Sequence, residues 1–121
     1  MLIYQSPEDY LYNLQAMTGG EAKRMWRQSV KDKWNNKCAY CESTENLTLD
    51  HIIPQCKGGT DHITNVVCCC KSCNNSKAHT DWEIWYYNQD FFTEERMDAI
   101  IDWRTQLEKQ ELKVYKPRKI N

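Results

Sequence analysis

The sequence has 121 residues, of which 40% are hydrophobic and 27% are charged, with a formal net charge of -1. This length corresponds to one domain with a single core, and no apolar run approaches the ~20 residues that a transmembrane helix requires. The composition therefore predicts one soluble globular domain with no membrane partner.

The net charge conceals an uneven distribution along the chain. Residues 21–37 contain six basic and two acidic residues, residues 81–111 contain three basic and nine acidic residues, and residues 113–119 add four more basic residues. Nucleic-acid binding usually leaves a basic footprint, so one side of the molecule could face DNA. Ordinary solvated helix faces explain either basic segment equally well.

The cysteines indicate the redox environment. Residues 1–7 lack a basic region followed by an apolar stretch, so we expect no secretory signal and a reducing, cytoplasmic compartment. The seven cysteines are then better explained as metal ligands than as disulfides.

Two helices are expected before residue 38. Residues 6–9 supply a hydroxyl cap, a proline at the first helical position and two acids, and the helix that they open should end at Gly19-Gly20. A second helix is expected from Glu21. Its apolar residues repeat at helical spacing, and they are Ala22, Met25, Trp26 and Val30.

Shorter elements follow up to residue 77. Residues 47–53 and 66–68 are β-prone, residues 57–61 form a turn or loop, and a short helix is expected over residues 72–77. This order predicts a hairpin followed by a helix, in which Asn74 and Lys77 share a face.

Four cysteines form two CxxC pairs, Cys38 with Cys41 and Cys70 with Cys73. This spacing lets both sulfurs of a pair turn toward one point, and two pairs supply the four thiolates of a tetrahedral Zn²⁺ site. Four thiolates leave no open coordination position, so this zinc should be structural. Cys68 and Cys69 lie beside Cys70 and could compete with it for the ion. Of these three, only Cys70 is followed by another cysteine three residues later. The remaining thiols are expected to be buried apolar side chains, and they are Cys56, Cys68 and Cys69.

Two further helices are expected after residue 80, a short one over residues 81–88 and one opened by Thr93. The buried stripe of the last helix is expected to comprise Met97, Ile100, Ile101, Arg104 and Leu107. An aromatic cluster before it is expected to be core and not a base-stacking platform, and it comprises Trp82, Trp85, Tyr86, Tyr87, Phe91 and Phe92. The chain thus divides into N-terminal helices (1–37), a zinc-stapled core (38–80) and C-terminal helices with a basic tail (81–121), all in one domain.

The region between the CxxC pairs contains the groups that phosphodiester hydrolysis needs. Histidine is the side chain that most often takes a proton from water in catalysis, which makes His51 the candidate general base. The Asp50 carboxylate and the Asn74 amide are hard oxygen ligands suited to Mg²⁺ or Mn²⁺, with water and phosphate oxygens filling the other positions. Such an ion offsets the charge that develops during cleavage.

These motifs together resemble the zinc-containing branch of the HNH endonuclease family. The two CxxC pairs bracket Asp50-His51-x-x-Pro54, Gly58-Gly59, Asn65 and Asn74-x-x-Lys77, and the likeness covers residues 38–77. The resemblance implies an α+β fold with a ββα-metal core, stapled by zinc and flanked by helices. It also implies a free-standing phage, homing or bacterial endonuclease that acts on double-stranded DNA.

The resemblance further implies a role for each matching residue. His51 is the general base, Asp50 and Asn74 hold the catalytic ion, and Asn65 orients the His51 ring. The position of Asn74 is often histidine in this family, and the amide makes softer ions such as Ni²⁺ or Zn²⁺ less suitable there. Cleavage would leave 3′-hydroxyl and 5′-phosphate ends, with the hairpin and helix against the minor groove.

Several residues keep more than one interpretation. Lys77 is either a phosphate ligand or a solvated helix lysine, and Asn75 is the nearest substitute for Asn74. His62 and His79 are most simply surface histidines, although His79 is a second-choice metal ligand. Three further candidate DNA contacts lie on the second helix, namely Arg27, Lys31 and Lys33.

Two other classes of protein fit the sequence less well than a nuclease does. A non-catalytic, zinc-stabilised DNA-binding module would share the two CxxC pairs. It would not need a base and two oxygen ligands in the order Asp50, His51, Asn74. A thiol redox protein is disfavoured because the CxxC pairs match a zinc site and no thioredoxin-like alternation of strands and helices precedes them. A monomer and a homodimer are both compatible with the sequence.

Overall fold

The computed structural model describes residue 7 and residues 19–106 and has an α+β fold. Three helices and a last helical stretch surround one two-stranded sheet. In chain order, the elements are helix α1 (Gly19–Lys33), strand β1 (Leu47–His51), strand β2 (Val66–Cys70), helix α2 (Lys71–Lys77), helix α3 (Trp82–Tyr87) and helix α4 (residues 94–106).

The two strands form the antiparallel hairpin that the sequence predicted. Leu47 pairs with Cys70 at one end and His51 pairs with Val66 at the other. An isolated two-stranded hairpin is marginal in water, and here every residue of β2 is buried. The hairpin is therefore stabilised by the helices and the CxxC segments packed around it.

The connection between the strands, residues 52–65, depends on two glycines. Gly58 adopts a φ of 88°, which closes the turn Gln55–Lys57 and which favours glycine. A Cβ on Gly59 would overlap the backbone carbonyl of Ile53. The connection therefore folds back over the end of β1.

Helix α1 covers the hairpin with a stripe of residues four apart, Ala22, Trp26 and Val30, all buried. Two details of the expectation were wrong. Met25 is 40% exposed, and α1 begins at Gly19 and not at Glu21, so the two glycines lie in its first turn. The helix expected before residue 19 lies outside the described residues, apart from Pro7.

The C-terminal elements confirm most of the expected aromatic core. Trp82, Trp85 and Tyr86 are buried, whereas Tyr87 is 69% exposed and does not belong to the core. Tyr86 Oη donates a hydrogen bond of 3.0 Å to the backbone carbonyl of Tyr40. This bond ties α3 to the first CxxC segment.

The buried stripe of α4 differs from the expected one. Ile100 is fully buried, but Ile101 is 40% exposed and Arg104 is exposed; Leu107 lies outside the described residues. Trp103 also faces the interior. Its Nε1 donates hydrogen bonds to the backbone carbonyls of Ile63 and Val66 at 2.8 and 2.9 Å. None of the described helices is both long enough and apolar enough to cross a lipid bilayer.

Candidate active site and metal centres

The four cysteines selected from the sequence come together in space. One sulfur from each of Cys38, Cys41, Cys70 and Cys73 lies within 4.8 Å of the others, a group that could hold a metal ion. The sulfurs of Cys41 and Cys70 are 3.6 Å apart. These two residues come from different CxxC pairs, so a bound ion would join the segment after α1 to the junction of β2 and α2.

Backbone geometry directs the sulfurs to this point. The amide of Ala39 donates to the Cys68 carbonyl at 2.8 Å, which docks the first pair against β2. Cys70 caps helix α2, and its sulfur accepts from the amide of Cys73 at 3.4 Å. The Cys38 sulfur likewise accepts from the amide of Tyr40 at 3.4 Å. Amide donors of this kind stabilise thiolates, the form that binds metal.

The protonation of the cluster is uneven without an ion. Hydrogen bonds from the thiols of Cys69 and Cys73 hold the pKa of Cys38 well below its usual range, whereas burial raises the pKa of Cys41 to about 11. A divalent cation would favour the deprotonated form of all four ligands. The donor set therefore fits a closed tetrahedral zinc site. Of the leftover thiols, Cys69 is fully buried as expected, but Cys56 is exposed, so the expectation of burial was wrong for it.

His51 lies at the end of β1 with its side chain 33% exposed. Its Nε2 atom is 2.8 Å from Asp61 Oδ1, which also accepts from Gln55 Nε2 at 2.7 Å. The bond from His51 holds the pKa of Asp61 below its usual range. A carboxylate accepts, so Nε2 carries the hydrogen of this bond, and in the neutral ring Nδ1 is then the nitrogen with the lone pair. Asp61 is not among the site residues predicted from the sequence.

Asn65 acts on the loop and not on the His51 ring. Its side chain accepts from the Ile53 amide at 2.9 Å and donates to the carbonyls of Ile53 and Thr60 at 3.0 and 2.9 Å. None of these hydrogen bonds is the expected direct contact with the His51 imidazole. Asn65 instead closes the loop that carries Asp61, so any effect on His51 passes through that loop.

Asp50 belongs to a buried charged cluster. Its carboxylate accepts a hydrogen bond from Tyr40 Oη at 3.0 Å to Oδ2 and one from Lys77 Nζ at 3.3 Å to Oδ1, and Lys77 Nζ also lies 3.2 Å from Oδ2 as an ion pair. Burial raises the pKa of Asp50, and the Lys77 charge opposes that shift. Lys77 is 0% exposed and also donates to the His51 carbonyl at 3.0 Å. Both earlier interpretations of Lys77 were therefore wrong, because a fully buried ammonium is neither solvated nor able to reach DNA.

The candidate base and the two candidate oxygen ligands line one cavity. Its volume is about 330 Å³, and Asp50, His51 and Asn74 all contribute to its wall, together with Cys56 and His79. Asn74 Nδ2 donates to Thr48 Oγ1 at 3.0 Å and to the Leu49 carbonyl at 3.3 Å. Among the described contacts its Oδ1 accepts no hydrogen bond. One amide oxygen and one carboxylate beside a cavity suit a hard divalent ion.

The remaining predicted residues fall in different places. Arg27 and Lys31 line a groove beside β1, whereas Lys33 is exposed but does not line it. His62 bonds Thr64 within its own turn. Asn75 is exposed and is not among the residues of the cavity that holds Asn74.

Comparisons with known proteins point to one family. The HNH endonuclease profile matches residues 38–84. The chain is 38% identical over 68 residues to the CRISPR-associated endonuclease Cas9 of Corynebacterium diphtheriae, covering 53% of this chain and 6% of that protein. It is 33% identical over 94 residues to YoqL of Bacillus subtilis, a prophage-derived protein named as an HNH endonuclease, covering 63% of this chain and 38% of that protein. No solved structure gives a significant match. Residues 38–84, which include both CxxC pairs and the cavity, therefore form a domain of the HNH endonuclease family.

Proposed function

We propose that the chain is a metal-dependent DNA endonuclease that hydrolyses phosphodiester bonds with His51 as the general base. The observation that carries the proposal is the shared cavity of His51, Asp50 and Asn74. The relatives named as endonucleases support the same reaction class, although the chain spans only 6% and 38% of their lengths.

The hydrogen bond to Asp61 favours one nitrogen of His51 for the proposed role of base. Because Nε2 donates to Asp61, Nδ1 is the nitrogen available to accept a proton from the attacking water. The imidazolium that forms keeps its partner, and the exposed Asp61 carboxylate offsets part of the new positive charge. Asp61 is thus a positioning residue for the base.

Asp50 and Asn74 would hold a Mg²⁺ or Mn²⁺ ion, which supplies positive charge to the phosphate and to the departing oxygen. The carboxylate of Asp50 has about four acceptor positions, and two are taken by the hydrogen bonds from Tyr40 and Lys77. Lys77 favours the charged form of Asp50 in a buried setting. Asn74 is held by its Nδ2 bonds, which leaves Oδ1 for a ligand.

The cysteine quartet is proposed to bind a structural Zn²⁺. A closed thiolate site offers no position for substrate. Its ligands Cys70 and Cys73 flank the start of α2, the helix that carries Asn74 and Lys77. Zinc would therefore hold the start of α2 against the segment after α1 and help to keep the cavity assembled.

One observation favours a second candidate, a zinc-stabilised DNA-binding module without catalysis. Lys77 neutralises Asp50, and a neutralised carboxylate attracts a cation less strongly than a free one. This alternative predicts DNA binding without cleavage in every divalent metal.

A plasmid-nicking assay separates the two candidates. Zinc-loaded protein is incubated with supercoiled DNA in Mg²⁺, in Mn²⁺ and without added divalent ion, beside Asn74→Ala and the matched control Asn75→Ala. We expect nicking that requires the added ion, a loss of about tenfold or more for Asn74→Ala, and little change for Asn75→Ala. DNA left intact by the wild type in both metals would support the binding module instead.

A further inference from the structure

Helix α1 carries a second feature of the site, outside the residues that match the HNH family. A groove of about 420 Å³ runs between α1 and β1; we name it the α1–β1 groove. Its wall includes four basic side chains, Lys23, Arg24, Arg27 and Lys31, and the β1 residues Leu47, Thr48 and Leu49.

The charge of this groove is of one sign. Among the described residues, no carboxylate lines the groove and none of the four cations forms a salt bridge. Lys23, Arg24 and Arg27 are exposed, and Lys31 is partly exposed. Unpaired cations along a groove attract an anionic polymer and raise its local concentration.

The α1–β1 groove leads to the candidate base. An adjoining groove of about 390 Å³ shares Lys23, Arg27 and Leu49 with it and is also lined by His51 and Asp61. His51 also lines the cavity of Asp50 and Asn74. His51 is therefore common to the cationic path and to the cavity of the candidate metal ligands.

The spacing of the cations matches a nucleic-acid strand. Lys23, Arg27 and Lys31 follow one another at four-residue intervals, which places them about 6 Å apart along the helix axis. From Lys23 to Lys31 is ~12 Å, the axial length of three to four nucleotides of one strand. Lys33 lies about 200° around the helix from Lys31, so it points away from this path.

We propose that the α1–β1 groove binds the phosphate backbone of the DNA strand next to the scissile bond and directs it to His51. The inference rests on the proposed function, but it assigns the binding surface to α1 and excludes Lys33. The contacts are to phosphates and should be independent of base sequence.

The test compares two pairs of substitutions that change the net charge equally. Lys23→Gln/Arg27→Gln removes two groove cations, and Lys33→Gln/Lys37→Gln removes two exposed cations that line neither groove. The dissociation constant for a fluorescent 20-base-pair duplex is measured by anisotropy between 50 and 250 mM KCl, with zinc-loaded full-length protein and no Mg²⁺ or Mn²⁺. Thermal unfolding verifies that each variant is folded.

We expect the groove pair to weaken binding about tenfold or more at 100 mM salt and to reduce the slope of log K against log salt by about 2, because each lost phosphate contact contributes about 0.9. The control pair should leave the slope nearly unchanged. Equal effects of both pairs, no effect of either, or no DNA binding by the wild type would overturn the proposal. If the groove pair binds DNA normally and the wild type nicks plasmid, the groove proposal is wrong and the nuclease proposal stands. If the groove pair loses binding and the wild type never cleaves DNA, the groove proposal stands and the nuclease proposal is wrong.

Discussion

The buried pair of Asp50 and Lys77 allows a quantitative test of the site's electrostatics. Replacing Lys77 with methionine keeps most of the side-chain volume but leaves the carboxylate, itself 5% exposed, without its counter-charge. Breaking a buried ion pair by removing one partner costs about 3–5 kcal/mol. For a domain of this size we expect the melting temperature to fall by about 10–20 °C.

The pH dependence of that loss identifies its cause. Burial raises the folded-state pKa of Asp50 above its unfolded value, so its charged form costs stability, and this cost disappears as the pH falls and the carboxyl group is protonated. Lys77→Met removes the charge that opposes the shift, so the folded-state pKa should rise further. The difference in unfolding free energy between wild type and Lys77→Met should therefore shrink from pH 7 to pH 5.

The assay is urea unfolding followed by circular dichroism at fixed zinc concentration, with Lys71→Met as the matched control. Lys71 is an exposed lysine on the same helix, and its replacement should cost less than about 0.5 kcal/mol. Adding Asp50→Asn to Lys77→Met should recover most of the loss, since no buried charge is then left unpaired. A Lys77→Met protein within about 1 kcal/mol of wild type at pH 7 would refute the buried pair.

Three further predictions concern the zinc, the loop and the positioning carboxylate. Cys70→Ser should lose zinc, measured by metal analysis, and with it much of the ~10–16 kcal/mol that such sites supply, whereas the exposed Cys56→Ser should keep one zinc per chain. Gly59→Ala should destabilise the fold by more than about 1 kcal/mol in chemical unfolding because the methyl group overlaps a backbone carbonyl; Gly20→Ala, where a Cβ meets nothing within 4 Å, should be neutral or stabilising. Asp61→Asn should fold normally and lower the nicking rate about tenfold or more, and an unchanged rate would remove Asp61 from the site.

The parts of the site that could be predicted from the sequence are those fixed by local spacing. Two CxxC pairs determine four sulfurs almost regardless of the rest of the chain, and the hairpin and α2 between and after them bring His51, Asp50 and Asn74 to one cavity. These features depend on turns and strand pairing over short distances. The family resemblance covered the same region.

The contacts that were missed depend on how separate segments dock. The bond between His51 and Asp61 requires the path of the whole inter-strand connection, although Asp61 is the only acidic residue between positions 51 and 80, a signal that could have identified it. Lys77 is four residues after Cys73 and so lies on the same face of α2. Since a zinc ligand faces inward, the burial of Lys77 could also have been inferred.

Errors on α1 and α4 have a different origin. Periodicity gives the apolar face of a helix but not its rotation relative to the core to within one residue, so Met25 and Ile101 were assigned to the interior and lie at its edge. The same limit applies to charges. Lys31 and Lys33 are two residues apart in sequence, yet only Lys31 lines the α1–β1 groove.

The most direct test of the central claim is the single-turnover rate of plasmid nicking by wild type and His51→Ala, each zinc-loaded, in Mg²⁺. General-base catalysis contributes about 10²–10⁴-fold, so we predict a loss of at least 10²-fold for His51→Ala. His62→Ala removes a histidine that does not line the cavity, and its rate should stay within a few-fold of wild type. A His51→Ala protein that nicks DNA within a few-fold of the wild-type rate would contradict the account.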